Sequence, residues 1–537
     1  MFKNNFRSIY RWGNPNYQEN LPKSAEEFLQ KRFGSLETVD EELLQIKLPK
    51  KNSIPKPICL QLKKIVGSSN YSEEDFERAR HSIGRYYLEI LEAKKGIFRY
   101  TPDLVLTPKT EKQLLQIIEI CKKNTIPVIP FGGNTSVTKA LEAKKGGISL
   151  DMKNFNEILE LNETNSTVKV QAGIFGPKLE NYLNQRGYTC GHFPQSFEFS
   201  TVGGWLAAKG AGQASTGYGK IEDIVLAIKV ICPEGIIETK AYPAASIGPD
   251  IYRLFIGSEG AFGIITEVTL KIRKLIPKNS SKSSFIFKDF ESACNAMREI
   301  MQGGFGKPHF FRLQDPEETD IAFEMSGKAR SISDKALQFL GYKPMKRTLM
   351  YVIIDGDKDY TKFVLNKIRK VVKRHQGFET GKHPVEKWLE QRYSSAYLRD
   401  TLMDKGMMID TLETAVTWEN LIPLWKKTRE YIKSKKNTAC LVHISHAYEN
   451  GANLYFIFMC PMDKNKEAEV FSKFHKGLVE TIHKNGGSLS HHHGIGKLFS
   501  PLIQEELGNL ALSTLQSIKN NLDKKGIMNP GGTIGLR

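Results

Sequence analysis

At 537 residues, 40% hydrophobic and 10% aromatic, the chain is too long for one ordinary core and reads as a soluble globular protein of two or three domains. Its 77 basic against 59 acidic residues give a formal charge of +18, but no zinc finger, helix-turn-helix or basic-aromatic motif accompanies them, so nucleic acid is not the expected partner. The seven cysteines (Cys59, Cys121, Cys190, Cys232, Cys294, Cys440 and Cys460) form no CxxC pair, which predicts reduced buried thiols and no structural zinc, and no apolar run reaches bilayer length.

The opening MFKNNFRSIYRWGNPNY has neither an apolar core nor a small-residue cleavage site. The chain does not end in a Ser-Lys-Leu-type tripeptide, so a cytoplasmic location is expected, with no secretory leader and no peroxisomal address. Residues 1–98 read as mainly helical, with Glu73–Ala93 the clearest helix and breaks at Pro55 and Pro57. Thr110-x-x-Gln113 matches a capping box that opens a helix with Leu114, Ile117, Ile118 and Cys121 on one face. Short strands follow at Pro127–Pro130, Ile148–Asp151, Thr167–Gln171, Ile224–Ile231, Ile236–Thr239 and Ile264–Ile272. Interleaved with short helices, they predict an α+β domain over 99–276. Lys274–Ser284 reads as a linker.

Over 277–484, strands at Ser284–Phe287, His309–Leu313 and Thr348–Ile354 alternate with helices at Glu291–Met301, Asp359–His375, Glu386–Met403 and Trp418–Ser434. A hairpin runs from Cys440 to Cys460 about a turn at Asn450-Gly451. This predicts a second domain, an antiparallel sheet covered by helices on one face. Lys362–Arg374 and Trp425–Lys436 each set a basic face beside an apolar stripe, formed in the first by Val364, Leu365, Ile368, Val371 and Val372. A solvated helix face, peripheral contact with an anionic membrane, and an acidic small substrate all fit that charge. Residues 485–537 hold a histidine run and an amphipathic helix near Pro501–Leu522.

Four segments are suited to a phosphate-bearing cofactor. Pro130, Phe131, Gly132, Gly133, Asn134, Thr135 and Ser136 follow a strand, where glycines admit close backbone approach and amides can donate to a pyrophosphate. The second segment is Gln195, Ser196, Phe197, Glu198, Phe199, Ser200 and Thr201, with Gly203 and Gly204. The third, Ala208, Lys209, Gly210 and Ala211, is small enough to lie against a large ligand. The fourth, between two strands, is Glu259, Gly260, Ala261, Phe262, Gly263, Ile264 and Ile265. Neither the Rossmann fingerprint nor a Walker P-loop is present, so four such turns fit a large dinucleotide such as FAD held mostly by backbone. In SLSHHHGIG, a strand would put His491 and His493 on one side and His492 on the other, where they can move protons or bind an anion.

In this order, PFGGNTS, TVKVQAGI, FEFSTVGGW and IGSEGAFGIITEVTLKI resemble the PCMH-type FAD-binding domain of the vanillyl-alcohol oxidase family. Where some relatives attach flavin covalently through a histidine after the Gly-Gly pair, this chain has Asn134, so the resemblance implies non-covalent FAD. Further stretches, GHFPQSFEFSTVGGW, GPDIYRLFIGSEG, FRLQDP, AYLRD, NLYFIF and GGSLSHHHGIGKL, are similar to the alkyldihydroxyacetonephosphate synthase family. That resemblance implies exchange of the acyl group of acyl-dihydroxyacetone phosphate for a fatty alcohol, an ether-lipid transferase reaction without net redox change. It implies a cap domain that binds the lipid phosphate through Arg312 and Arg399. Tyr455 would be the acid/base, His491, His492 and His493 would lie near the flavin, and His192 beside the cofactor. A homodimer is among the assemblies it admits.

The alternative is an FAD-linked oxidoreductase acting on a 2-hydroxy acid or alcohol, similar to D-lactate dehydrogenases. Their hairpin carries two metal-binding histidines and a later stretch a glutamate. Here His446 is kept, but Tyr455 and His492 hold the other two places, so no metal is expected. GGNTS in place of GGGTS, AKGAGQAS without the synthase's basic residue, and the tail GIMNPGGTIGLR depart from the synthase pattern.

Overall fold

The computed structural model describes residues 7–13, 20–34, 45–49, 51, 54–463 and 465–536, in two compact units. Much of the opening segment and parts of the 1–98 region therefore lie outside the described residues. The glycine-rich unit gathers residues 41–212, 219–275 and 492–537. The cap unit gathers residues 1–40, 213–218 and 276–491. Among the described residues no helix is long and apolar enough to cross a membrane.

The glycine-rich unit holds two main sheets. In the first, β1 (Tyr71–Ser72) pairs antiparallel with β2 (Leu104–Leu106), while β2, β4 (Ile148–Asp151) and β3 (Val128–Phe131) run parallel. Parallel strands need a crossover, and the helix Glu111–Asn124 is carried between β2 and β3. Thr110 Oγ1 accepts from the Gln113 N–H at 3.2 Å, and Leu114, Ile117, Ile118 and Cys121 are buried as their spacing requires. They share a core with Leu104, Leu106, Val128, Ile148 and Leu150.

The second sheet orders β5 (Ile158–Asn162), β6 (Thr167–Gln171), β10 (Ile264–Lys271), β8 (Val225–Cys232) and β9 (Gly235–Glu238), all antiparallel. A two-stranded pair joins β7 (Tyr188–Thr189) to β11 (Arg273–Lys274). The chain's last segment closes this unit. Met528 bridges Val128 in parallel, and the buried Lys519 ammonium donates to Ala261 O, Met528 O and Asp523 Oδ2, each at 2.7 Å.

The expected helix Glu73–Ala93 is two, Asp75–Arg80 and Tyr87–Lys94. A Cβ at Gly84 would lie 2.1 Å from Ser136 O, and Arg85 N donates to that oxygen at 2.6 Å, so the chain leaves the helix to pack on the first glycine segment. The Pro501–Leu522 helix also breaks, at Gly508, whose φ of +78° suits glycine.

In the cap, seven strands order as β15 (Phe378–Gly381), β12 (Ser281–Phe287), β14 (Thr348–Ile354), β13 (Phe310–Gln314), β17 (Ala439–Ile444), β18 (Gly451–Pro461) and β16 (Met407–Thr417). Every pair is antiparallel. The long β16, paired along all of β18, is absent from the sequence reading, and the expected linker already forms the start of β12. Nor is the second face bare. From the helix His383–Gln391, Val385, Trp388 and Leu389 cover Phe310, Leu349, Tyr351 and Ile353. That helix and Ser395–Asp404 replace the single one expected over Glu386–Met403. The helices Lys358–Arg374 and Trp418–Ser434 bury their apolar stripes, which leaves solvated basic faces.

Candidate active site

In the glycine-rich unit all four predicted segments converge. A Cβ at Gly133 would meet Phe199 O at 1.8 Å, and one at Gly132 would meet Thr201 Oγ1 at 2.7 Å, which locks the first segment to the second. Asn134 takes φ +55° and donates from Nδ2 to Arg80 O at 3.2 Å. Ser136 supplies the carbonyl that Gly84 and Arg85 meet, with Thr135 between. Thr201 caps the helix Val202–Ala207 through the Gly204 N–H at 3.2 Å, and Gly203 packs on Ala172. Ser200 Oγ accepts from Trp205 Nε1 at 2.7 Å, and Phe197 covers Gly176. Gln195, Ser196 and Glu198 lie in the preceding turn.

The fourth segment ties back through Gly257 N to Leu206 O (2.8 Å) and Glu259 N to Ala207 O (3.0 Å). A Cβ on Gly260 would touch Pro130 at 2.9 Å. Phe131 packs against His81 with the rings tilted by 43°, 4.1 Å between centroids. Phe262 and Ile264 are buried in the two cores and Gly263 packs on Ile231 O, so those side chains serve packing. Ile265 is part-exposed on β10.

The cradle also meets a chemical test for a cofactor. His192 is fully buried against Trp205 (4.7 Å), and neither ring nitrogen has a partner among the described residues. Burial first, then Lys220 and His492, drive its pKa down to about 3, so the ring is neutral with an N–H and a lone pair unmet. Beside it, a Cβ on Gly210 would meet nothing closer than 3.5 Å, and Lys209 bends away at φ +53° next to the buried Ala211 and the half-buried Ala208. Polar atoms and open space of this kind fit a flavin dinucleotide held by backbone and one neutral imidazole.

The histidine run is no strand but a bend, so the expected alternation of side chains does not apply. His491 belongs to the cap, and His492 and His493 to the glycine-rich unit. His492 and His493 contact edge to face at 4.5 Å. The following turn is clamped by Glu259, whose Oε2 accepts the Gly496 N–H at 2.7 Å. Burial pushes this carboxyl up to about 7, against the opposing Gly496 amide and Lys497.

In the cap, strand alternation puts Tyr455 on the face opposite the buried Leu454, Phe456 and Phe458. Register brings it beside Glu413 on β16 and His443 on β17. The Tyr455 and His443 rings stack at 4.8 Å and 12°. Arg312 on β13 donates from Nη2 to Glu318 Oε1 at 2.7 Å and lies 3.0 Å from His443 Nδ1, which is 2.9 Å from Glu318 Oε2. The Nε of Arg312 is buried and has no partner among the described residues.

Three acids here are driven apart. Burial alone would raise Glu318, but His443 and Arg312 hold it down to about 2. Burial pushes Asp410 up to about 7, opposed by the Thr411 amide and Arg399. Burial pushes Tyr455 up to about 12, with Glu413 and Asp410 adding and Thr411 and Arg312 opposing. Separated values of this kind are what acid/base work requires. Arg399, on the helix Ser395–Asp404, reaches Asp400 at 3.6 Å. His491 receives support on three sides. Its ring is 2.7 Å from the Tyr448 hydroxyl and stacked on His446 at 5.0 Å, and its main-chain N–H donates to Glu413 Oε2 at 2.7 Å.

His443, Glu318, Asp410 and Glu413 were not singled out from sequence. The expected turn at Asn450-Gly451 would set His446 opposite Tyr455. Instead Tyr448 N bonds Gly451 O, turning one residue earlier, and Asn453 Oδ1 accepts the Ser445 and His446 amides at 2.9 Å across an extra residue. His443 thereby takes the place beside Tyr455.

A family model of an FAD binding domain matches residues 102–240, and one of the C-terminal domain of FAD linked oxidases matches residues 276–533. Alkyldihydroxyacetonephosphate synthase of Dictyostelium discoideum is 31% identical over 486 residues, covering 88% of this chain and 79% of that one. The Caenorhabditis elegans enzyme of that name is 31% identical over 493 residues, 87% of this chain and 82% of its own. A solved structure of an alkyldihydroxyacetonephosphate synthase superposes with a TM-score of 0.84 at 26% identity, over 98% of this chain and 99% of that one. With FAD as its cofactor and a PCMH-type domain followed by an antiparallel cap, the chain belongs to the alkyldihydroxyacetonephosphate synthase family of FAD-dependent enzymes.

Proposed function

We propose that this enzyme exchanges the acyl group of an acyl-dihydroxyacetone phosphate for a fatty alcohol. The ester C–O bond to the dihydroxyacetone carbon breaks, an ether C–O bond forms, and fatty acid leaves with the proton the alcohol gives up. One observation carries the reading: the half-buried, protonated Tyr455 phenol and the Arg312 guanidinium share one face of the cap sheet, where a dehydrogenase of this fold would place a metal-binding histidine instead.

Arg312 is already paired with Glu318, so it offers a fixed Nε–H rather than net charge to a phosphate oxygen, and Arg399 adds the cation. Tyr455 donates a proton to the departing carboxylate and is restored from the alcohol. The glycine-rich segments and the neutral His192 would hold FAD, which when bound would offer a nucleophilic centre to the substrate carbon. On the cap, the His491 imidazole, held by Tyr448, is placed to hydrogen-bond a substrate oxygen.

The test incubates the yellow protein anaerobically with palmitoyl-dihydroxyacetone phosphate and labelled hexadecanol. The expected result is label in an alkyl ether, released palmitate and no lasting flavin bleaching. No ether, with bleaching by a 2-hydroxy acid, refutes the proposal in favour of an oxidoreductase. Tyr455→Phe should keep FAD and lose about 10²–10⁴-fold in transfer, and full transfer by that variant would remove the role given to Tyr455.

A further inference from the structure

The helix Ile332–Phe339 is inside out. Its one acidic residue, Asp334, faces the protein, where it pairs with the fully buried Arg347 and accepts from Arg330 N at 2.7 Å and Gln338 Nε2 at 2.9 Å. Arg347 is held in turn by Asp320 at 2.8 Å and by the Phe323 ring at 4.1 Å. With its polar side bolted inward, the helix presents its apolar side to solvent: Ile332 is 89% exposed and Phe339, two turns on, 92%. Leu340 at 51% and Met345 at 57% extend the patch. Monomeric proteins seldom leave large apolar groups clustered in this way without a partner.

Charge identifies the partner. Across residues 326–346 the exposed ionisable side chains are Lys328, Arg330, Lys335, Lys343 and Lys346, all cationic, and the only acid is the buried Asp334. A second copy of a chain carrying +18 would set like charge against like. An apolar helical face rimmed by lysine matches an anionic lipid surface, which takes large side chains into the headgroup boundary and lysines at the phosphates. We infer that residues 326–346 dock the enzyme on an anionic membrane surface through Ile332, Phe339, Leu340 and Met345. The helices Lys358–Arg374 and Trp418–Ser434 are poorer candidates, because their apolar stripes are already buried. The inference stands whichever reaction the flavin supports.

The test is co-sedimentation of the FAD-loaded enzyme with phosphatidylcholine vesicles, with and without about 30% phosphatidylglycerol, at about 0.1 M salt. Binding should appear on the anionic vesicles and weaken with salt and on phosphatidylcholine alone. Ile332→Ser with Phe339→Ser should cut partitioning at least about tenfold. Lys335→Glu with Lys343→Glu should do the same. Both variants touch only exposed side chains, so unchanged melting temperature and flavin absorbance keep the result interpretable. The inference is overturned if wild type ignores the vesicles or binds both kinds equally. It is overturned as well if the Ser variant binds like wild type, or if wild type is a dimer that the Ser variant dissolves.

Discussion

Gly133→Ala tests whether the flavin cradle depends on backbone contact. The added methyl would sit 1.8 Å from Phe199 O and 2.8 Å from Ser200 Cα, so the two segments must part by more than about 1 Å. The opposing atoms are main chain, held by Thr201 at one end and Gly176 N at the other, and no side chain can swing aside. The overpacking should cost about 1–3 kcal/mol of stability. A loop displaced that far takes its amides out of range of a pyrophosphate, at about 1.5–3 kcal/mol for each charge-assisted bond lost, which weakens FAD binding by about one to two orders of magnitude. Titrating apoprotein with FAD by fluorescence, beside a thermal melt, reads both effects. Gly210→Ala is the contrast. Its methyl meets no protein atom within 3.4 Å, so stability should hold while FAD affinity falls where cofactor lies against it. A Gly133→Ala protein with unchanged Tm and FAD affinity would refute the reasoning.

Glu318→Gln should lose about 3 kcal/mol at neutral pH, because the folded carboxyl titrates near 2 against 4.5 unfolded. A depressed acid stabilises above its unfolded pKa, so in wild type this increment fades from about pH 4.5 toward pH 2, and urea melts across that range should show the step missing in the variant. Lys519→Met leaves Asp523 buried without its cation and should cost about 3–5 kcal/mol, read as a lower Tm with faster FAD loss, and an unaltered melt would deny its part in closing the unit. Phe456→Ala, in the fully buried row of β18, should cost about 3–5 kcal/mol by denaturant melt.

Elements with strong periodicity and clear caps were legible in the sequence. The Glu111–Asn124 helix, β6 and the Trp418–Ser434 helix fall where pattern places them because each buries one face, and β4 and β14 because a short run buried throughout reads as a strand. Long-range backbone approach left no local signal. Gly84, between the two helices, meets Ser136 more than fifty residues away, and the polar alternation of MMIDTLETAVT hid an edge strand whose acids are buried. The same holds for the site. Tyr455 and Arg312 came from motif resemblance, and the alternation of NLYFIF gave the face of Tyr455. Their neighbours Glu318 and His443 arrive through a helix cap and a displaced hairpin turn with an extra residue, which only the paired strands reveal.

The parallel bridge between Val128 and Met528 also bears on how the protein is made. At about 5–20 residues per second, a ribosome needs roughly 20–80 s between those two residues. Throughout that interval β3 is exposed at an edge, with its Val128 amide awaiting Ile527 O and the Ala261 carbonyl awaiting Lys519. The cap strands lie within 276–491 and can pair with one another before the tail emerges. The glycine-rich unit therefore completes its packing only after the last of the chain is made, whereas the cap strands have no such wait.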